Sequence, residues 1–324
     1  MDTGPWESVF RSVLGGAKLV SRLEPGRAGG QTGSPWEGVA GVARRYAVGP
    51  QENPLQPPAR RPGDVQLHGL GPRHWAVLSL LAEHGVLHTG QVTTLMFGSR
   101  PAAARHLGAL ARAGLVWRFV YDDDPRHVAF YELSAAGAEA LTARLREAGR
   151  AVPVALGRPG PGEFVVNEFF VGLAAQARED GRGELFRWRR ALEAAVWLRE
   201  HGVSEATPSA YGVWIEGGRA VRFVLHVDHT AAPGALSGLA APPQADVLAG
   251  YRRARRGVPV TAVLVLCLTV ERETEVLRGM AAAPLPVTVG TATLDRLYQA
   301  SSAAEAIWTV AGGDGLLRLA EIGR

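Results

Sequence analysis

Four breaks divide the stretch from Leu70 to Arg146: Gly85, Gly98-Ser99, Gly114 and the turn at residues 122–126. The order of segments they leave constrains this chain more than any other feature. Apolar residues (Trp75, Leu78, Leu81) recur at helical spacing over Pro72–His84, and Gly85 ends that helix. A second helix is predicted over Thr89–Met96 with Thr89 as its N-cap, followed by a tight turn at Gly98-Ser99. A third, over residues 100–113, carries Pro101 in its first turn, turns Leu107 and Leu110 inward and stops at Gly114. Strands are predicted at residues 115–121 and 128–133, and Ser134 caps a last helix reaching Glu147. Three helices, a hairpin and a helix form the order of a winged helix-turn-helix, which makes double-stranded DNA the first partner to consider.

In that arrangement the third helix enters the major groove, and its exposed side chains reach base edges or phosphates. The candidates are Arg100, Arg105 and Arg112, with His106 and Arg118 flanking them. Arg105 and Arg112 are seven residues apart, on the side opposite Leu107 and Leu110. Arg73 and His74 open the first helix, where backbone amides favour phosphate. The turn works against a simple picture. Asp122-Asp123-Asp124 would repel phosphate, so either Arg126 and His127 make the contact there or the hairpin tip faces a protein.

Net charge is +4 with a pI near 9.6, compatible with a nucleic-acid partner. Lys18 is the only lysine, so chemistry that needs a catalytic lysine has one candidate, in a Gly/Pro-dense tail. No apolar run of membrane-spanning length and no signal pattern is evident, which predicts a cytoplasmic protein without a membrane partner. Cys267 is alone, which excludes an internal disulfide, and its setting (VLVLCLTV) predicts a buried core residue.

The predicted organisation has four parts: a disordered tail over 1–68, the helix-turn-helix domain over 69–150, a linker over 151–162 and an α/β domain over 163–324. The tail repeats a short motif, PWESV and PWEGV. Its Trp6 and Trp36 either fall in transient helix or anchor docking peptides for a protein partner. The last domain alternates element types. Helices are predicted at 164–178, 245–254 and 271–282, and strands at 185–188, around Trp197, at 258–269 and at 286–290. A hairpin of 211–215 and 221–227 completes it. This is an α/β (α+β) pattern with a central mixed sheet.

The runs LGPRHWAVLSLLAEHGVLHTGQVTTLMFGS, HLGALARAGLVWRF and YELSAAGAEAL resemble the winged helix of the actinobacterial replication-relaxation family. VNEFFVGLAAQAR, GELFRWR, PSAYGVWIEGGRAVRFVLHVDHT and LAGYRR continue in the family's order, so the resemblance covers about Leu70 to Leu297. It implies a part in replication, relaxation or transfer of plasmids and mobile elements. It also implies a restriction-endonuclease-like second domain with Pro-Asp at the start of a hairpin and Glu-x-Asp on its second strand. Such acids hold a divalent metal that activates water.

This chain has Pro208-Ser209 and His226-Val227-Asp228 at those positions. Two of three acids are missing and no lysine is near. The positions Ser209, His226 and Asp228 therefore read as degenerate, with no catalytic residue, metal or cofactor expected. His226, Asp228 and His229 could form a soft-metal cluster or an Asp–His hydrogen bond on the hairpin. The leading expectation is a non-enzymatic DNA-binding protein. A metal-dependent nuclease and a protein adaptor are the rivals. A homodimer on paired half-sites is compatible with the first reading, although the sequence carries no dimer signature.

Overall fold

The computed structural model describes residues 69–120, 128–149, 161–228, 248–254 and 258–323. They fall into two compact units, 69–149 and 161–323. The Trp6 and Trp36 motifs, Lys18, the acidic turn with Arg126 and His127, and His229 lie outside the described residues.

The first unit runs α1 (Pro72–His84), β1 (Leu87–His88), α2 (Thr89–Met96), α3 (Arg100–Arg112), β2 (Val116–Phe119), β3 (Phe130–Leu133) and α4 (Ala135–Glu147). Its three strands form an antiparallel sheet in the order β1-β3-β2, with Leu87 opposite Tyr131 and Val116 opposite Leu133. One core joins Leu78 and Leu81 of α1, Val92 of α2, Leu107 and Leu110 of α3, and Leu141 of α4. Trp75 is only partly buried at the edge of that core and lies under the Arg144 guanidinium, 4.7 Å from the ring centroid.

The helices stand where the sequence puts them, but one cap differs. α2 is capped by His88, not Thr89: the His88 Nδ1 accepts from the Gly90 and Gln91 amides, and the His88 amide donates to Gln91 Oε1. His88 also ends β1, opposite Phe130, so one residue closes a strand and opens a helix. The strands are shorter than predicted, since residues 115, 120, 128 and 129 fall outside the ladder.

The second unit runs α5 (Pro161–Asp180), β4 (Gly183–Arg190), α6 (Ala191–Glu200), β5 (Ala210–Glu216), β6 (Arg219–Asp228), α7 (Ala249–Arg252), β7 (Ala262–Cys267), α8 (Val270–Ala282), β8 (Thr288–Thr293), α9 (Leu294–Gln299) and β9 (Thr309–Val310). A mixed sheet takes the strands in chain order, β4 to β9. β4, β5 and β6 are antiparallel, β6, β7 and β8 are parallel, and β9 returns antiparallel. The fold is α/β, as the alternating pattern predicts.

β7 is buried along its whole length, which explains its unbroken apolar run. Phe169 and Phe170 of α5 pack with Trp188 and Phe223 on one face of the sheet. Gly212 permits that approach, because a Cβ there would collide with Phe223 and Phe170. Leu198 of α6, Tyr251 of α7 and Val276 of α8 share a second core with Tyr211, Val224 and Val263 of the sheet. The strand expected around Trp197 is instead helix α6. Its ALEAAVWLRE run is built of helix formers with Ala194 and Leu198 four apart on the buried face. The predicted linker also ends earlier than 162, since α5 starts at Pro161. Among the described residues no helix is long and apolar enough to cross a membrane.

Candidate functional site

α3 presents two unlike faces. Ala103, Leu107 and Leu110 are wholly buried, while Arg100, Arg105 and Arg112 are exposed. The Arg112 guanidinium lies back along the helix beside bare Gly108, and the seven-residue spacing puts Arg105 and Arg112 on one side of the helix. Arg118 projects from β2, an edge strand of the small sheet, and is exposed. Arg73 is exposed at the start of α1.

His74 and His106 are joined. The Gly71 amide donates to His74 Nδ1 at 3.1 Å, so that nitrogen carries no proton and Nε2 does. His74 Nε2 stands 3.1 Å from His106 Nδ1, which must then accept. The chain leaves His106 with its own proton on Nε2. Phe97 stacks on the His106 ring at 5.1 Å. Burial lowers the pKa of both histidines, and the cations Arg73 and Arg105 with His74 push His106 down further. A neutral imidazole pair thus ties the first turn of α1 to the middle of α3. The sequence placed both histidines near the candidate surface, but their mutual bond has no signature at a separation of 32 residues.

In the second unit, antiparallel pairing brings the start of β5 beside the end of β6. The Ser209 amide donates to the Leu225 carbonyl at 2.8 Å, and the Val227 amide donates to Ser209 Oγ at 3.0 Å. Ser209, His226 and Asp228 are therefore neighbours. Their partners, however, come from elsewhere. His226 Nε2 shares a 2.6 Å hydrogen bond with the Tyr251 hydroxyl, and complete burial lowers its pKa to about 4, against the opposing pull of Asp228.

Asp228 accepts from Arg272 Nε at 2.7 Å, and Arg272 Nη1 also reaches Glu275 at 3.0 Å. Both members of the Asp228–Arg272 pair are buried. One helical position further, Glu273 pairs with Arg296 at 2.9 Å and accepts from Thr291 Oγ1 at 2.9 Å. Cys267 stands beside Asp228 in parallel register, and burial together with nearby carboxylates pushes its thiol up to about 12. It is a packed core residue. Among the described residues no three His, Cys, Asp or Glu side chains are grouped so as to hold a metal ion.

Arg272 and Tyr251 are the residues that sequence reasoning missed. Arg272 sits in α8, 44 residues from its carboxylate partner, and nothing local to VERETEV marks it as a buried cation.

Residues 78–241, half of the chain, match the family described as replication-relaxation. The match includes α3 and the Ser209, His226 and Asp228 cluster, and stops short of Arg272. No curated protein and no solved structure matches the chain.

Proposed function

The chain belongs to the replication-relaxation family, and on that premise we propose that it is a DNA-binding accessory or regulatory protein of plasmid or mobile-element replication, relaxation or transfer. The first unit acts as a winged helix-turn-helix. α3 enters the major groove of duplex DNA, and β2 and β3 form the wing. Arg105 and Arg112 face the groove, Arg100 and Arg118 flank it, and Arg73 guards the start of α1. His74 and His106 hold α1 and α3 in register at that surface. The observation that carries this reading is the two-faced α3, with three apolar side chains wholly buried and three arginines turned to solvent.

The second unit reads as a nuclease-like sheet that binds or assembles and does not cut. A divalent metal needs several oxygen ligands free to turn toward it. Asp228 is the one acid left of the motif, and Arg272 already holds it.

Titration of a labelled duplex with the full chain tests the first part. Arg105→Ala with Arg112→Ala is expected to weaken binding by about tenfold or more, since losing an arginine that reads a base costs about 1–3 kcal/mol and losing a phosphate contact weakens binding to every sequence. Both side chains are exposed, and a melting curve of the double variant checks that it is folded. Unchanged affinity in that double variant would overturn the reading.

A further inference from the structure

β4 is an edge strand of the large sheet, and its alternation sorts its side chains. Trp188 enters the aromatic layer and stacks on Phe170 at 4.8 Å. Arg187 and Arg189 go to the opposite face. There Arg187 stands opposite Val213 and Val213 opposite Arg222, while Arg189 stands opposite Tyr211. These cross-strand rows gather Arg187, Arg189 and Arg222 from two strands around one phenol. The Arg189 guanidinium lies 5.9 Å from the Tyr211 ring centroid, and all three cations act on the Tyr211 hydroxyl. Trp197 packs on the same ring at 4.4 Å and fixes it.

The charge of this cluster is only partly offset. Glu193 and Glu200 of α6 act on Arg189, while Arg187 opposes it as a like charge. Among the described residues no carboxylate pairs with the guanidinium of Arg187 or of Arg222. Arg222 is exposed, Arg187 and Arg189 are half-buried, and Phe186 is exposed under Arg187. Cations gathered at one surface without matching acids repel one another, and an arriving anion relieves that cost. Planar guanidinium forks favour the paired oxygens of a phosphate.

We infer that Arg187, Arg189 and Arg222, set around Tyr211, form a phosphate-binding site for the backbone of a nucleic acid, a second contact surface independent of α3. This rests on the DNA-binding reading above and adds a site to it.

The test measures affinity of the full chain for a labelled duplex, and for a single strand of equal length, over a range of salt concentrations. Log affinity falls with log salt by about 0.9 for each duplex phosphate neutralised, and by about 0.7 on a single strand. Replacing all three arginines by glutamine should make the duplex slope shallower by about 2 to 3. The lysine triple variant keeps the charges and should keep the wild-type slope. Arg222→Gln alone, at an exposed position, should shift it by about 1 and serves if the triple variant melts early. Loss on the single strand alone would support the site and assign it to unwound DNA. An unchanged slope on both nucleic acids, in glutamine variants that melt like the wild type, would overturn it. If Arg105→Ala with Arg112→Ala lowers affinity in that case, DNA binding through α3 stands and only the second site falls. If neither set changes affinity, the DNA-binding reading falls with it.

Discussion

His226 is a base that the fold keeps neutral. Its pKa drops to about 4 because it is fully buried, and the nearby Asp228 carboxylate only partly restores it. The unfolded chain regains an ordinary histidine and takes up a proton first as pH falls. The stabilisation is thus complete above about pH 6.5 and is lost as pH falls toward about 4, amounting to about 3 kcal/mol. Urea titrations of wild type and His226→Gln at pH 7 and pH 4.5 check this: the wild type should lose more stability than the variant. Equal losses would mean that another group drives acid unfolding. The His74–His106 pair has the same sign, since burial lowers both, so acid should loosen the α1–α3 junction as well. Its tautomers are directly observable. Nitrogen spectra at neutral pH should show both rings protonated at Nε2, and a proton on His74 Nδ1 would contradict the bond from Gly71. At this scale the sequence marked His74, His106, His226 and Asp228 as worth attention. It could not mark Tyr251 or Arg272, because a buried partner is chosen by packing between elements and leaves no local period.

Elements were legible where a stop signal and a periodic face coincide. Ser134 at the start of α4 is such a place. Its Oγ accepts from the Gly137 amide at 3.0 Å and donates to the Gly114 carbonyl at 2.7 Å. The cap therefore also ties α4 to the end of α3. Ser134→Ala should cost about 1 kcal/mol for the cap, with a further loss from the orphaned carbonyl. Gly137 then lets α4 lie against the chain leading into β2, since a Cβ would collide with the Leu115 carbonyl. Gly137→Ala should cost about 1–3 kcal/mol through overpacking, although alanine is the better helix former. A stabilised Gly137→Ala variant in a denaturant titration would show that the contact relaxes freely. Composition failed where tertiary contacts decide the state. Trp197 favours strands as an isolated residue, yet the surrounding run is helical, and its ring serves to pack against Tyr211. Histidine is not among the side chains that favour a helix N-cap, yet His88 serves as one here, with its backbone already paired in β1.

For the molecule as a whole, the decisive feature is where the large sheet changes direction. β6 is antiparallel to β5 and parallel to β7, and the parallel strands end in one row at Asp228, Cys267 and Thr293. Open α/β sheets bind ligands beyond the carboxyl ends of such strands. Here that edge is taken by the protein itself. Arg272 of α8 reaches Asp228, and Arg296 of α9 reaches Glu273. A buried ion pair adds little over well-packed apolar residues, but removing one partner strands the other charge. Arg272→Ala should therefore destabilise the second unit by about 3–5 kcal/mol, while Arg272→Met with Asp228→Asn should recover much of that loss. A pair kept for structure also predicts the catalytic outcome. Supercoiled plasmid incubated with the chain and magnesium or manganese should stay intact, and Asp228→Asn should behave the same. Nicking by the wild type that disappears in Asp228→Asn, with the variant still folded, would show that Asp228 leaves Arg272 to hold a metal. The second unit would then be an enzyme.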